Sequence, residues 1–539
     1  MAERVYVALD LETTGLEAGR DAIIEIGAVR FQGEEILDRF TTLVNPKRPI
    51  PLRIQQLTGI RTADVVGAPP LAAVAPELMA FVGSDVAALV AHNAGFDLAF
   101  LRAAGLHFHR PALDTFELAT ILLPNQASYS LGELCRHLQI HLTNAHRAAG
   151  DAEATAQLFI HLRRQLYGLP LAILELLVEC GQESEWPLLP LFAEGRQRAQ
   201  QRAPTLGKWG GMRSLTAGAK LQPLAGQPSL QPVSLEEIDH FLAPGGALAA
   251  QLGPTYEPRP GQRLMARLVM DTLNQGNHLL IEAGTGTGKS LAYLLPAACW
   301  SVTNQQRVVI ATNTIALQDQ LLSKDIPQTE HLLEASGHPR PKVALLKGRN
   351  NYLCTRRLHT WRRDHRLSPA ELGLLAKLLV WLTTTTTGDV SELLLTTPAE
   401  RTAWLRLRSD PTTCSPERCG AGISRDARGL PSGDFFLHAQ QQAADAPLLV
   451  INHALLIADL ATGGRLLPAY DHLVVDEAHH LEEVTTDQLT QRVDWAWLHV
   501  QLQRLSPDDR LGALLAQAAY RSGWPALAAR LDHIGQRAV

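Results

Sequence analysis

Residues 5–16 read "VYVALDLETTGL". The alternation of a strand puts Val5, Val7, Leu9 and Leu11 on one face and sets Asp10 and Glu12 side by side on the other. Two carboxylates in an apolar strand need a counter-charge, and a divalent metal supplies one. The plainer alternative is an edge strand that ends in solvated acids. Two later segments weigh against it. "LVAHNAGFDLAFL" (89–101) carries Asp97 after a second apolar strand-like run, and "NAHRAAGDAEATAQLF" (144–159) carries His146 and Asp151. A five-residue step is about 500° around a helix, so these two do not share a helical face. The expected arrangement has His146 in the entering loop and Asp151 on the helix, both pointing into one cleft.

In order and context, Asp10, Glu12, Asp97, His146 and Asp151 resemble the motifs of DnaQ-like exonucleases of the DEDDh type: "DLETTG" (10–15), "HNAGFD" (92–97) and "HRAAGD" (146–151). The resemblance covers about residues 4–165. It implies an RNase-H-like fold and 3′→5′ removal of nucleotides. Asp10, Glu12, Asp97 and Asp151 would hold Mg²⁺ or Mn²⁺ ions roughly 4 Å apart, and His146 would be the general base. The family also suggests that Leu16 wedges against the terminal base; ordinary core is the competing reading. Asp114 in "PALDTFELA" (111–119) is read as a helix N-cap in preference to a support for the metal site.

A second chemistry-bearing stretch is "HLLIEAGTGTGKSLAYLLPA" (278–297). It reads as a buried strand, a phosphate-cradling loop over Gly284, Thr285, Gly286, Thr287 and Gly288, and a helix. Lys289 would reach the β/γ-phosphates of ATP and Ser290 would ligate its Mg²⁺. Ala283 stands at the first glycine position of the strict pattern. In "HLVVDEAHHLEE" (472–483), Leu473, Val474 and Val475 form an expected buried strand. Asp476 at its end would hold Mg²⁺ through water, and Glu477 would position the hydrolytic water. "YEPRPGQRLMA" (Tyr256, Arg259, Gln262) resembles a helicase segment that senses adenine. "VVIATNTIALQDQLL" (Thr312, Asn313, Thr314, Gln318) resembles one that touches a nucleic-acid backbone. With "KGRNNYLC" (347–354) and "VINHALL" (450–456), residues from about 235 onward resemble the DinG/XPD branch of superfamily 2 helicases, in its exonuclease-fused form.

That resemblance implies a four-cysteine [4Fe–4S] insertion between the P-loop and the DEAH box. Cys354, Cys414 and Cys419 match, and Asp434 stands near the fourth position. Three outcomes stay open: a cluster, a cluster completed by Asp434 or water, and a metal-free domain. Zinc on three cysteines is the less favoured reading. Cys135, Cys180 and Cys299 read as buried apolar thiols.

At roughly 150 residues per domain, the 539 residues suggest three or four domains. The expected class is α/β, with these divisions: an exonuclease domain (1–165), a helical connector and flexible linker (166–234), a RecA-like lobe (235–349 and 446–483), the cysteine insertion (350–445) and the start of a helical arch (484–539). The linker reading rests on the Gly-, Pro-, Gln- and Arg-rich stretch 194–232. The net charge of −5 excludes a global basic signature, so a nucleic-acid surface would be local. No run approaches the ~20 apolar residues of a membrane helix, and no signal peptide opens the chain, so a cytoplasmic protein is expected. As it stands, the sequence leaves no room for a second RecA-like lobe, which reads as truncation or a fragment. The leading expectation is a 3′→5′ exonuclease on single-stranded DNA or DNA 3′ ends, fused to an ATP-binding lobe. The alternatives are an ATP-dependent helicase in its full-length form and a non-catalytic, ATP-gated DNA-binding module.

Overall fold

The structure is a computed structural model that describes residues 3–142, 146–201, 224, 229–364, 366–420, 422–426, 429–490, 517–521, 523–524, 526–527 and 529–530. The N-terminal unit is a mixed sheet of β1 (Val5–Thr13), β2 (Ile23–Gln32), β3 (Glu35–Leu43), β4 (Ala88–Ala91) and β5 (Ala112–Asp114), in the order β3-β2-β1-β4-β5. β1 runs antiparallel to β2 and parallel to β4. A central strand is covered on both faces, and β1 obeys: Val7, Leu9 and Leu11 pack in one core with Leu78 and Phe100. Tyr6 and Ala8 pack in another with Phe159 and Leu162 of the helix Ala148–Tyr167. Asp10 and Glu12 therefore emerge on the face that this helix crosses.

The crossing is close. A Cβ built on Gly27, the β2 residue paired with Asp10, would lie 2.1 Å from the carbonyl oxygen of Ala148. Only a residue without a side chain lets the helix start so near the strand. Glu25, fully buried two residues away, fixes the same helix end. It accepts from the Ala148 N–H at 2.9 Å and from the Arg147 guanidinium at 2.6 Å.

The second sheet is parallel: β6 (Val308–Thr312), β7 (Val343–Leu345), β10 (Leu448–Asn452) and β11 (His472–Val475), in the order β11-β6-β10-β7. The helix Lys289–Asn304 packs on it through Leu291, Leu294 and Leu295. Between β7 and β10 lies the cysteine-bearing segment, with helices Thr355–Asp364, Pro369–Trp381, Pro398–Leu407 and Phe435–Asp445 and a short ladder of β8 (Ser424–Arg425) and β9 (Pro431–Ser432). The Pro369–Trp381 helix packs against Thr115–Leu122 of the N-terminal unit. There the Trp186 indole donates to Glu117 at 2.9 Å, and the Asn125 N–H donates to the Glu392 carbonyl.

Several expectations change. The segment before the P-loop is not a strand, and Leu280 is 92% exposed. Among the described residues no strand offers it a ladder, and without partners for its N–H and C=O groups it stays irregular. β11 is a strand, but it lies at the sheet edge with Leu473 exposed, so it is not buried. The stretch read as a linker begins inside the helix Leu189–Gln201; residues 202–223 and 225–228 lie outside the described ones. Most of the expected arch does too, although the helix Leu481–Leu489 is present. Cys135 and Cys299 are buried, while Cys180 is only half-buried. Among the described residues no helix is long and apolar enough to cross a membrane.

Gly27→Ala forces the Ala148 carbonyl away from β2. Overpacking of this kind costs about 1–3 kcal/mol. Hydrogen exchange in the first turns of the Ala148–Tyr167 helix should accelerate; exchange at the wild-type rate would contradict the close-approach account.

Candidate active site

Four elements converge at the end of β1. Asp10 and Glu12 come from the strand itself. Asp97 sits in the first turn of the helix Ala94–Ala103, buried, and accepts from the Leu11 N–H at 3.1 Å. His146 is in the turn before the Ala148–Tyr167 helix, and Asp151 is in that helix's first turn. Ligand atoms of Glu12, His146 and Asp151 lie within 4.8 Å of one another.

Both helix entrances are held in the left-handed region, where non-glycine residues are uncommon. Asn93 (φ 64°) is pinned by Asp114, which accepts from the Asn93 and Ala94 N–H groups at 2.9 and 3.1 Å. His146 (φ 64°) is pinned by its own N–H donating to Asp151 at 3.1 Å. Asp114 also caps the next helix through the Phe116 N–H, so the helix-cap reading holds and the same carboxylate braces the turn that leads to Asp97. Leu16 is 83% exposed, which removes the core reading for it.

The electrostatics define the site. Burial, then repulsion from Asp97, Asp151 and Glu12, hold the Asp10 carboxyl well above its ordinary range. Burial, then Asp151 and Glu25, push Glu12 up to about 7. Burial pushes Asp97 up to about 7 against the Leu11 hydrogen bond, and it raises Asp151 as well. Arg147 offsets part of the charge on Glu12, but its guanidinium is engaged by Glu25. Such a crowd of oxygen donors fits hard divalent cations such as Mg²⁺ or Mn²⁺. Glu25, Arg147 and Gly27 were missed in the sequence reading; the one signal was an acid inside the apolar run "AIIEIGAV" (22–29).

The nucleotide loop is assembled differently. Gly286 and Gly288 have φ of 81° and 83°, and Gly288 opens the helix Lys289–Asn304. A Cβ on Gly288 would strike the Gln262 amide, which donates to the Gly288 carbonyl at 3.0 Å. This glycine cradle at a helix N-terminus fits the phosphates of ATP. Gly284, Thr285 and Gly286 are exposed, and Thr287 and Ser290 are half-buried. Lys289 does not point into open space: its ammonium pairs with Glu477 at 2.7 Å, and Glu477 itself is left-handed (φ 51°). Asp476 accepts from the Tyr293 hydroxyl at 3.0 Å. Arg259 lies beside Glu257, and the Tyr256 hydroxyl donates to the Leu242 carbonyl. Thr312 and Gln318 are fully buried, which withdraws them from nucleic-acid contact and leaves Asn313 and Thr314 nearer the surface.

Residues 7–159 match the family described as "Exonuclease", and residues 260–338 match "DEAD/DEAH box helicase". The chain joins an exonuclease domain to a DEAD/DEAH box helicase domain. It is 33% identical over 532 residues to "3'-5' exonuclease DinG" of Bacillus subtilis (strain 168), covering 95% of this chain and 54% of that protein. It is 31% identical over 520 residues to the protein of the same name from Staphylococcus aureus (strain USA300), covering 93% and 53%. The chain thus spans about half the length of the curated relatives it matches. A solved structure titled "Exonuclease X in complex with 5' overhanging duplex DNA" is 29% identical and covers 30% of this chain and 91% of that one, with a TM-score of 0.26.

Because the carboxyl groups titrate higher in the fold than their ordinary 3.8 and 4.5, the cation-free fold retains protons that the unfolded chain releases. Their contribution to stability is complete below pH about 4 and is lost as pH rises through about 7. A cation replaces those protons, so Mn²⁺ should raise the melting temperature more at pH 8 than at pH 6. An equal or smaller shift at pH 8 would contradict this.

Proposed function

We propose that the chain is a divalent-metal-dependent 3′→5′ exonuclease acting in the cytoplasm on single-stranded nucleic acid, with DNA favoured, and that its ATP-binding lobe holds the strand and presents 3′ ends. The observation that carries this reading is the convergence of Asp10, Glu12, Asp97 and Asp151, with His146 at their rim. These carboxylates would hold the ions, whose chemistry when bound is to clamp the attacking and leaving oxygens of an in-line displacement. His146 orients the water and takes its proton. The pinned turn fixes the backbone of His146 while its exposed ring stays open to substrate. Two relatives named as 3'-5' exonucleases support the same reading.

In the second half, Gly284–Ser290 would bind the phosphates of ATP, with Gln262 and Arg259 beside the loop and Asp476 holding Mg²⁺. Lys289 must leave Glu477 before it can reach a phosphate, and that exchange frees Glu477 to position water. Strand binding by this half through backbone contacts should weaken with salt. The in-place pairing of P-loop and DEAH residues keeps an ATP-dependent helicase, in a longer form with the nuclease as accessory, as the second reading.

Asp10→Ala removes one of the four metal-holding carboxylates. It should abolish Mn²⁺-dependent trimming of a 5′-labelled single strand, by at least about 10³-fold given what metal ions contribute to such displacements. Undiminished trimming would sink the assignment.

A further inference from the structure

The four-iron cluster that the helicase resemblance implies does not fit the residues present. A [4Fe–4S] cluster is held by four thiolates, each on its own iron and therefore spread across the width of the cluster. Here three thiols and one carboxylate gather instead. Ligand atoms of Cys354, Cys414, Cys419 and Asp434 lie within 4.8 Å of one another, and the Cys354 and Cys419 sulfurs are 3.7 Å apart. A single tetrahedral ion with metal–sulfur bonds of about 2.3 Å spaces its sulfur ligands about 3.8 Å apart.

We propose that Cys354, Cys414, Cys419 and Asp434 form a structural site for one tetrahedral zinc ion.

The surroundings are built for it. Cys354 and Asp434 face each other across an antiparallel bridge, which locks the segment after β7 to the start of the Phe435–Asp445 helix. Cys414 lies just before the one-turn helix Pro416–Cys419, and Cys419 is its last residue. Asp434 is fully buried, and its partners leave room for a metal. One oxygen accepts from the Phe436 and Leu437 N–H groups at 3.0 and 3.3 Å, and the other accepts from the Ser409 hydroxyl at 2.7 Å. A carboxylate offers about four lone-pair sites, so one remains on the second oxygen. Arg349 in turn donates to Ser409 at 3.2 Å, a relay that orients the ligand as supporting hydrogen bonds do around zinc. Three thiolates and a carboxylate exceed the charge of a divalent ion by two. Arg356 lies where that excess falls, with its Nε 3.2 Å from the Cys419 sulfur and its Nη2 3.9 Å from that of Cys414. Sulfur-rich tetrahedral donors select zinc over hard cations. Such an ion would fasten three separate stretches of an insertion whose strands are only two residues long.

The test uses the full chain from cultures supplied with both iron and zinc. Metal and acid-labile sulfide are counted, and cobalt is then exchanged in. The expected result is one zinc per chain, no sulfide, and a cobalt spectrum of a tetrahedral thiolate site. Asp434→Asn keeps the hydrogen-bond acceptor for the helix cap but weakens the ligand. It should lower zinc affinity at least tenfold and alter the cobalt bands, while circular dichroism stays as in the wild type. Cys419→Ser should lower zinc retention in the same assay. Four irons with matching sulfide, a single iron, no metal retained through gel filtration, or an Asp434→Asn chain with wild-type affinity and spectrum would each overturn the proposal.

Discussion

The constraint on which the N-terminal half depends is the burial of carboxylates that its own packing forces together, where they also repel one another. The end of β1 supplies Asp10 and Glu12, and two helix starts bring Asp97 and Asp151 against them. Arg147 relieves only part of this charge, at Glu12. Its guanidinium is spent on Glu25, where it ties the Ala148 helix to β2. The arrangement therefore favours protons at low pH and divalent cations at higher pH. The stability given up at this one place is what a bound cation would restore, which ties packing directly to chemistry.

The helicase-like half meets a similar problem in the opposite way. Lys289 and Glu477 neutralise each other across the nucleotide loop. Its glycine turns and the Gln262 brace are already formed. What binding must change is one ion pair that is partly open to solvent, and such a pair is cheap to break. The two halves meet through the Thr115–Leu122 and Pro369–Trp381 helices. Asp114 stands at the head of the first of these and also braces the turn before Asp97. One helix thus runs from beside the carboxylate cluster to the cysteine-bearing insertion.

Much of this was legible in the sequence, for identifiable reasons. The three exonuclease motifs are short contiguous strings at element ends, where local pattern places a side chain well. Glu25 and Gly27 were not legible as partners of Arg147 and Ala148, because those contacts join residues more than a hundred positions apart. The P-loop segment misled: "HLLI" has the apolar run of a buried strand, but a strand also needs an edge to pair with, and periodicity says nothing about edges. Gln318 misled likewise. It sits at a polar helix start by sequence, while tertiary packing buries it completely. Asp434 was placed near the cysteines by position alone; its distance to them and its spare lone pair required coordinates.

On the proposed function, chemistry resides at the Asp10 cluster and the nucleotide loop serves it. The most direct measurement is a time course on one single strand labelled separately at its 5′ and 3′ ends, with Mn²⁺, with and without ATP. The expected result is a 5′-labelled ladder that shortens stepwise, immediate release of the 3′ label as mononucleotide, and both proceeding without ATP. Degradation from the 5′ end, or trimming that occurs only when ATP is hydrolysed, would contradict it.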